Sequence, residues 1–135
     1  MLKDHLIVQT ILKAILPYII IYGIYIQLNG EISPGGGFQA GVIFATGLIV
    51  FELLYGKEKF LQIFSIELLI FASILGVAIY FFTGIISLFF NQNYLDYYAL
   101  ADGAIFAQHL GIFLVEMGVG ITVSAVMILI YIRLS

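Results

Sequence analysis

The chain has no cysteine, which excludes disulfides, thiolate metal sites and thiol nucleophiles. Charge is scarce. Only 10% of the 135 residues are charged, against about a quarter in a soluble domain. The net charge of −3 comes with no basic patch, so nucleic acid is not an expected partner. Strand-like alternation, internal repeats and low-complexity tracts are also missing, which argues against a barrel. The opening apolar run has no small-residue cleavage site and continues too long for a signal peptide. The two histidines, His5 and His109, fall at opposite ends of the topology, and no HExxH or other ligand spacing occurs. No serine has a base arranged beside it. We therefore expect no metal, no cofactor and no enzymatic chemistry.

What the chain has in abundance is apolar surface. Hydrophobic residues make up 63% and the mean hydropathy is +1.16. A water-soluble globule of this length could not hide that much, so lipid must solvate much of it. A helix spanning the hydrocarbon core takes about 20 mostly apolar residues. Four such runs are readable, at about 6–28, 38–55, 60–83 and 109–132. The expected fold is all-α: one polytopic membrane domain over residues 1–135 with four transmembrane helices. The third run stays apolar to Phe90, and its surplus reads as extramembrane helix or a tilted end.

The connections differ in kind. Asn29–Gly37 reads NGEISPGGG, dense in turn residues and expected to be irregular. Gly56–Lys59 reads GKEK, a short charged turn, and residues 91–108 form a longer polar and aromatic segment. With four spans, Lys3, Lys13, Lys57, Lys59 and Arg133 all fall on one side, whereas the first and third loops carry only the acids Glu31, Asp96 and Asp102. The positive-inside rule places the basic side, and both termini, in the cytoplasm.

The sharpest local feature is Ser33, Pro34, Gly35, Gly36, Gly37, Phe38, Gln39, Ala40 and Gly41. Proline fixes φ, and three successive glycines admit backbone angles closed to other residues. Exposed N–H groups at a helix start suit an anion or a partner's carbonyl. The plainer reading is a tight re-entry turn that lets a neighbour pack closely. No GK[ST] follows, so this is not a phosphate-binding Walker loop.

Intramembrane charge is costly and usually faces protein or water. Lys13 lies about two turns into the first helix, on one face with Gln9 and Gln27 and roughly opposite Tyr18, Tyr22 and Tyr25. It either snorkels to the interface or is buried against protein. Glu67 lies at a similar depth in the third helix, so a Lys13–Glu67 ion pair is expected as one arrangement. Glu52, near the end of the second helix, is expected to be solvated at the interface. His109 and Glu116 are two turns apart on one face of the fourth helix, about 10 Å along it. A titrating histidine and a membrane carboxylate there could begin a proton path. The alternative is an interfacial histidine and a glutamate bonded to a neighbouring subunit. Glycines 111, 118 and 120 and the small residues Ala40, Gly41, Ala45 and Gly47 allow close helix approach.

These residues resemble the MnhB/MrpB family of multisubunit cation/proton antiporters. The likeness rests on Ser33–Gly41, on Pro17 within an apolar first helix, and on the block from His109-Leu110-Gly111 to Leu114-Val115-Glu116-Met117-Gly118-Val119. In that block the family shows an acid just before glycine and valine; here it is Glu116, where aspartate is commoner. The resemblance covers essentially the whole chain. It implies a non-catalytic membrane subunit of a complex exchanging Na+ for H+ across the cytoplasmic membrane, with other Mrp/Mnh-type membrane subunits and the bilayer as partners. In such complexes the large subunits carry most of the proposed proton channels, leaving assembly, sealing or part of an ion path to this one. Two alternatives stay open: an ion-translocating module of a membrane-bound hydrogenase or related respiratory complex, and a self-assembling small channel or transporter.

Overall fold

The structure, a computed structural model, describes residues 6–32, 35–100 and 103–135. Lys3, His5, Ser33, Pro34 and Asp102 lie outside the described residues. Among those described, five α-helices occur: α1 Leu6–Leu28, α2 Gly36–Tyr55, α3 Lys57–Ile63, α4 Ile66–Phe89 and α5 Ala104–Leu134. Four of them, all but α3, are long and apolar enough to cross a membrane. This is a multi-pass, all-α membrane fold.

The bounds depart from the hydropathy reading where local chemistry overrides composition. The apolar run from Phe60 is cut at Phe64–Ser65. Ser65 has extended backbone and its hydroxyl accepts a hydrogen bond from the Leu68 N–H, capping α4 afresh. The GKEK stretch is not a turn: only Gly56 breaks the chain, at φ +92°, and Lys57 already begins α3. The surplus after Thr83 is continuous helix to Phe89. α2 begins at Gly36, two residues early, and α5 begins at Ala104, five residues early. Nothing polar enough to stop a helix stands between 104 and 109.

The helices pack in a row, α1 against α2, α2 against α5, α5 against α4. α1 is peripheral: 6% of its apolar window is buried in the chain, against 44% for α2. The α4–α5 crossing is made backbone to backbone. A Cβ on Gly118 would stand 2.7 Å from the Gly76 carbonyl oxygen, and one on Gly76 would stand 2.5 Å from that of Gly118. Thr122 Oγ1 adds a hydrogen bond to the Ser73 carbonyl at 3.2 Å. At the α3 end, Phe60, Leu69, Ala45, Ile128 and Ile132 form an apolar cluster, and Lys57 Nζ donates to the Ile132 carbonyl at the end of α5, at 3.1 Å.

At the opposite end, residues 91–100 fold back over α4 and α5. Asn91 and Leu95 take positive φ, and Asp96 accepts from the Tyr98 N–H to start a single 3-10 turn, Tyr97–Ala99. Tyr94 fills the space over Gly84, and Tyr97 that over Gly111. Tyr94 and Tyr97 thus cap the helix pair. Burial, with Tyr80 and Tyr94 beside it, raises the Tyr97 phenol above its ordinary value.

Gly118→Leu drives a branched side chain into the α4 backbone. We expect a loss of about 1–3 kcal/mol, read as an earlier unfolding midpoint in detergent. The Tyr97 shift disfavours ionisation in the folded chain. Its contribution is therefore full below the unfolded value near pH 10 and is lost as pH rises through the folded one. Tyr97→Phe should flatten that part of the alkaline stability loss in a pH series of unfolding midpoints.

Candidate functional site

The glycine-rich turn and α5 meet at one place. Gly35 has φ +131° and Gly36 φ +46°, angles a side chain resists, and they swing the chain from the first loop straight into α2. Gln39 folds its side chain back over Gly35, where a Cβ would clash with it. The turn wraps the Glu116 position of α5. A Cβ at Gly30 would overlap the Glu116 carboxylate, one at Gly36 would lie 2.6 Å from its Oε1, and one at Gly37 would collide with the Glu116 carbonyl. Glycine at all three places is what lets the carboxylate sit between the first loop and the start of α2.

Two turns along α5, His109 Nδ1 pairs with Glu31 Oε2. The side chains are 60% and 25% exposed. A pair this open contributes little stability, about 0–1 kcal/mol. What it supplies is a bridge from the first loop to the start of α5. Glu31 follows Gly30, which abuts the Glu116 carboxylate. The site is thus Glu31, His109 and Glu116, held by Gly30, Gly36 and Gly37.

One turn beyond Glu116, Gln27 of α1 reaches across to Gly120. It is 7% exposed, a Cβ on Gly120 would be 2.5 Å from its Oε1, and its Nε2 is buried without a hydrogen-bond partner. At the other end of the α2–α5 seam, Glu52 is 9% exposed and Tyr131 donates its hydroxyl to Glu52 Oε2 at 2.9 Å.

The structure thus unites His109 and Glu116 with the Gly35, Gly36, Gly37, Phe38, Gln39 and Gly41 stretch. It separates the other two candidates. α1 and α4 lie at opposite sides of the row, Lys13 and Glu67 are both exposed, and no ion pair joins them; the expected pair is corrected on this ground. The α1 polar face also divides, with Gln27 buried and Lys13 exposed. Glu52 corrects a second expectation: it is enclosed by the seam instead of solvated. In the sequence Glu31 is legible only as a loop charge. Its partnership with His109 required knowing how the loop folds back.

A family model described as "Domain related to MnhB subunit of Na+/H+ antiporter" matches residues 7–129. The chain belongs to the MnhB family. Relatives from Staphylococcus aureus strains Newman and COL, both named "Putative antiporter subunit mnhB2", are 27% identical over 140 aligned residues, covering 100% of this chain and 97% of each relative. No solved structure matches it. These matches favour neither a hydrogenase-type module nor a self-assembling channel. As an MnhB-family subunit, this chain is a component of a transporter and has other membrane subunits as partners.

Gly37→Ala would place a methyl against the Glu116 carbonyl and push α2 off α5. We expect about 1–3 kcal/mol of destabilisation, seen as a lower thermal midpoint in detergent, whereas His109→Ala should move that midpoint little.

Proposed function

We propose that this chain is a non-catalytic integral membrane subunit of a multisubunit Na+/H+ antiporter, and that Glu116 serves its ion path. The observation that carries this is the seating of the Glu116 carboxylate on a membrane helix, enclosed by the glycine turn and next to the His109–Glu31 pair. An acid inside a span costs about 2.5–3.5 kcal/mol on insertion scales. Three glycines arranged around it are a large structural commitment to a group with no packing value.

Roles follow from position. His109, with Glu31, stands at the aqueous side of the site, two turns of α5 before Glu116. Lys13 and Glu67 face away from the seam on outer helices, and we assign them to contacts with neighbouring subunits or to the interface. The basic residues Lys57, Lys59 and Arg133 share a side with the termini, which supports a cytoplasmic location for both ends in the cell membrane.

In the assembled antiporter, Glu116→Gln keeps shape and removes the titratable group. Proton-coupled Na+ transport in membrane vesicles should fall on the order of 10²-fold, the contribution of a positioned proton-transfer group, with the complex still co-purifying intact. Full transport by the variant would remove Glu116 from the mechanism. A stable homo-oligomer of this chain that moved ions alone in liposomes would overturn the subunit assignment.

A further inference from the structure

α1 ends the row of helices, and only 6% of its apolar window is buried in the chain. Its contact face is made by Gly23, Ile26 and Gln27, with Gly23 against Ile43 and Phe44 of α2. One flank of that face opens on an apolar cleft of about 350 Å³, lined by Ile24 and Gln27 of α1, Phe44 of α2, and Phe113, Met117 and Gly120 of α5. Lys13 lies on the same flank. It is eleven residues from Ile24, about three turns plus 20°, and stands about 16 Å away along the helix. Both side chains are exposed. The line from the cleft to Lys13 runs toward the end of the bundle that carries Lys57 and Arg133. The roughly opposite side of α1 carries Tyr18, Tyr22 and Tyr25 and no charge.

Position 13 has two polar groups that this chain does not serve. The Lys13 ammonium pairs with no acid among the described residues. Glu52 is tied to Tyr131, and Glu67 lies across the row on α4. Four residues on, Pro17 stands inside the helix and brings no N–H, so the Lys13 carbonyl lacks its usual helical donor. Polar groups within a span are satisfied by neighbouring protein or by water. We propose that the cleft and the Lys13 flank of α1 form one docking surface for a membrane helix of a neighbouring antiporter subunit, and that this helix carries an aspartate or glutamate opposite Lys13; the proposal rests on the subunit assignment and is independent of Glu116. Side chains of the partner fill the cleft, where packing supplies the contact. The ion pair three turns away fixes the depth and register of the partner. A lipid tail fills an apolar cleft equally well, but it brings no counter-charge to Lys13.

The test uses the whole antiporter in its membranes. The chain has no cysteine, so Ile24→Cys gives it one attachment point for a benzophenone crosslinker. Irradiation should join the tagged chain to a membrane span of another antiporter subunit. That span, identified by mass spectrometry, should contain an aspartate or glutamate about eleven residues from the crosslink. In complexes purified through the tag, Lys13→Leu should lower recovery of that subunit on the order of tenfold. Lys13→Glu should do the same, and changing the partner's acid to lysine should restore recovery. Crosslinks only to lipid or to a second copy of this chain, a crosslinked span without an acid, wild-type recovery with Lys13→Leu, or no rescue by the reversed pair would each overturn the docking surface. The subunit assignment survives those results if the wild-type chain still brings down the other subunits; if it brings down none, both fall. Should the Lys13 variants fail to accumulate in the membrane, the crosslink from Ile24→Cys decides alone.

Discussion

Helices dissolved in lipid gain no hydrophobic energy by touching, because lipid tails are as apolar as leucine. Association therefore depends on how closely backbones approach and how well the surfaces fit. In this chain that requirement is concentrated on α5. Gly118 and Gly120 are two residues apart, so they point to nearly opposite sides of the helix. Gly118 meets the Gly76 carbonyl of α4, while the Gly120 carbonyl lies 2.8 Å from where a Cβ on Gly41 of α2 would stand. One Gly-Val-Gly step lets α5 touch a backbone on each flank.

That central position organises the rest. α2 can lie along α5 only because Gly36 and Gly37 bring its first turn onto Glu116. The tight turn before it, with Gly35 and Gly36 at positive φ, is thus one structural unit with the α5 acid. The same logic places the aromatic cap: Tyr94 and Tyr97 rest on glycines of α4 and α5, at Gly84 and Gly111. α1, which meets the row chiefly through α2, contributes Gly23, Ile26 and Gln27 as its buried residues. Its remaining surface is solvated by lipid or by other subunits.

Much of this was legible beforehand, and the limits have physical causes. Four spans follow from composition, since a run of apolar residues needs no partner to be recognised. The meeting of the glycine turn with Glu116 was half legible: the turn and the acid were each conspicuous, but their contact depends on how the chain folds. Lys13 and Glu67 show the converse. Equal depth in the membrane was readable from residue counts, yet depth says nothing about which helices are neighbours, and α5 lies between α2 and α4. Glu52 lies near a helix end, but nearness to a helix end is not nearness to water. Tyr131, from the far end of α5, closes over it. Ser65 stands inside an apolar run, yet a serine cap restarting a helix is a local signal that sequence can carry.

The distribution of polarity along the seam follows from the cost of charge in hydrocarbon. Ionisable groups stand near its two ends, Glu31, His109 and Glu116 at one and Glu52 at the other, where a helix turn or two reaches the aqueous boundary. Between them the seam carries an amide and a hydroxyl, groups that desolvate at lower cost than an ion. The half-buried Glu116 and the buried Glu52 are also held differently. Glu116 is admitted by the removal of side chains around it, which leaves its carboxylate to be contacted from the first loop. Glu52 is held by a hydrogen bond from the Tyr131 hydroxyl. A group framed by glycine can change partners without breaking a strong bond; a group tied to tyrosine keeps its geometry as its charge changes. The first arrangement suits a site where ions enter, and the second a site that must stay in place while the apolar cluster around Phe60 and Ile128 seals that end.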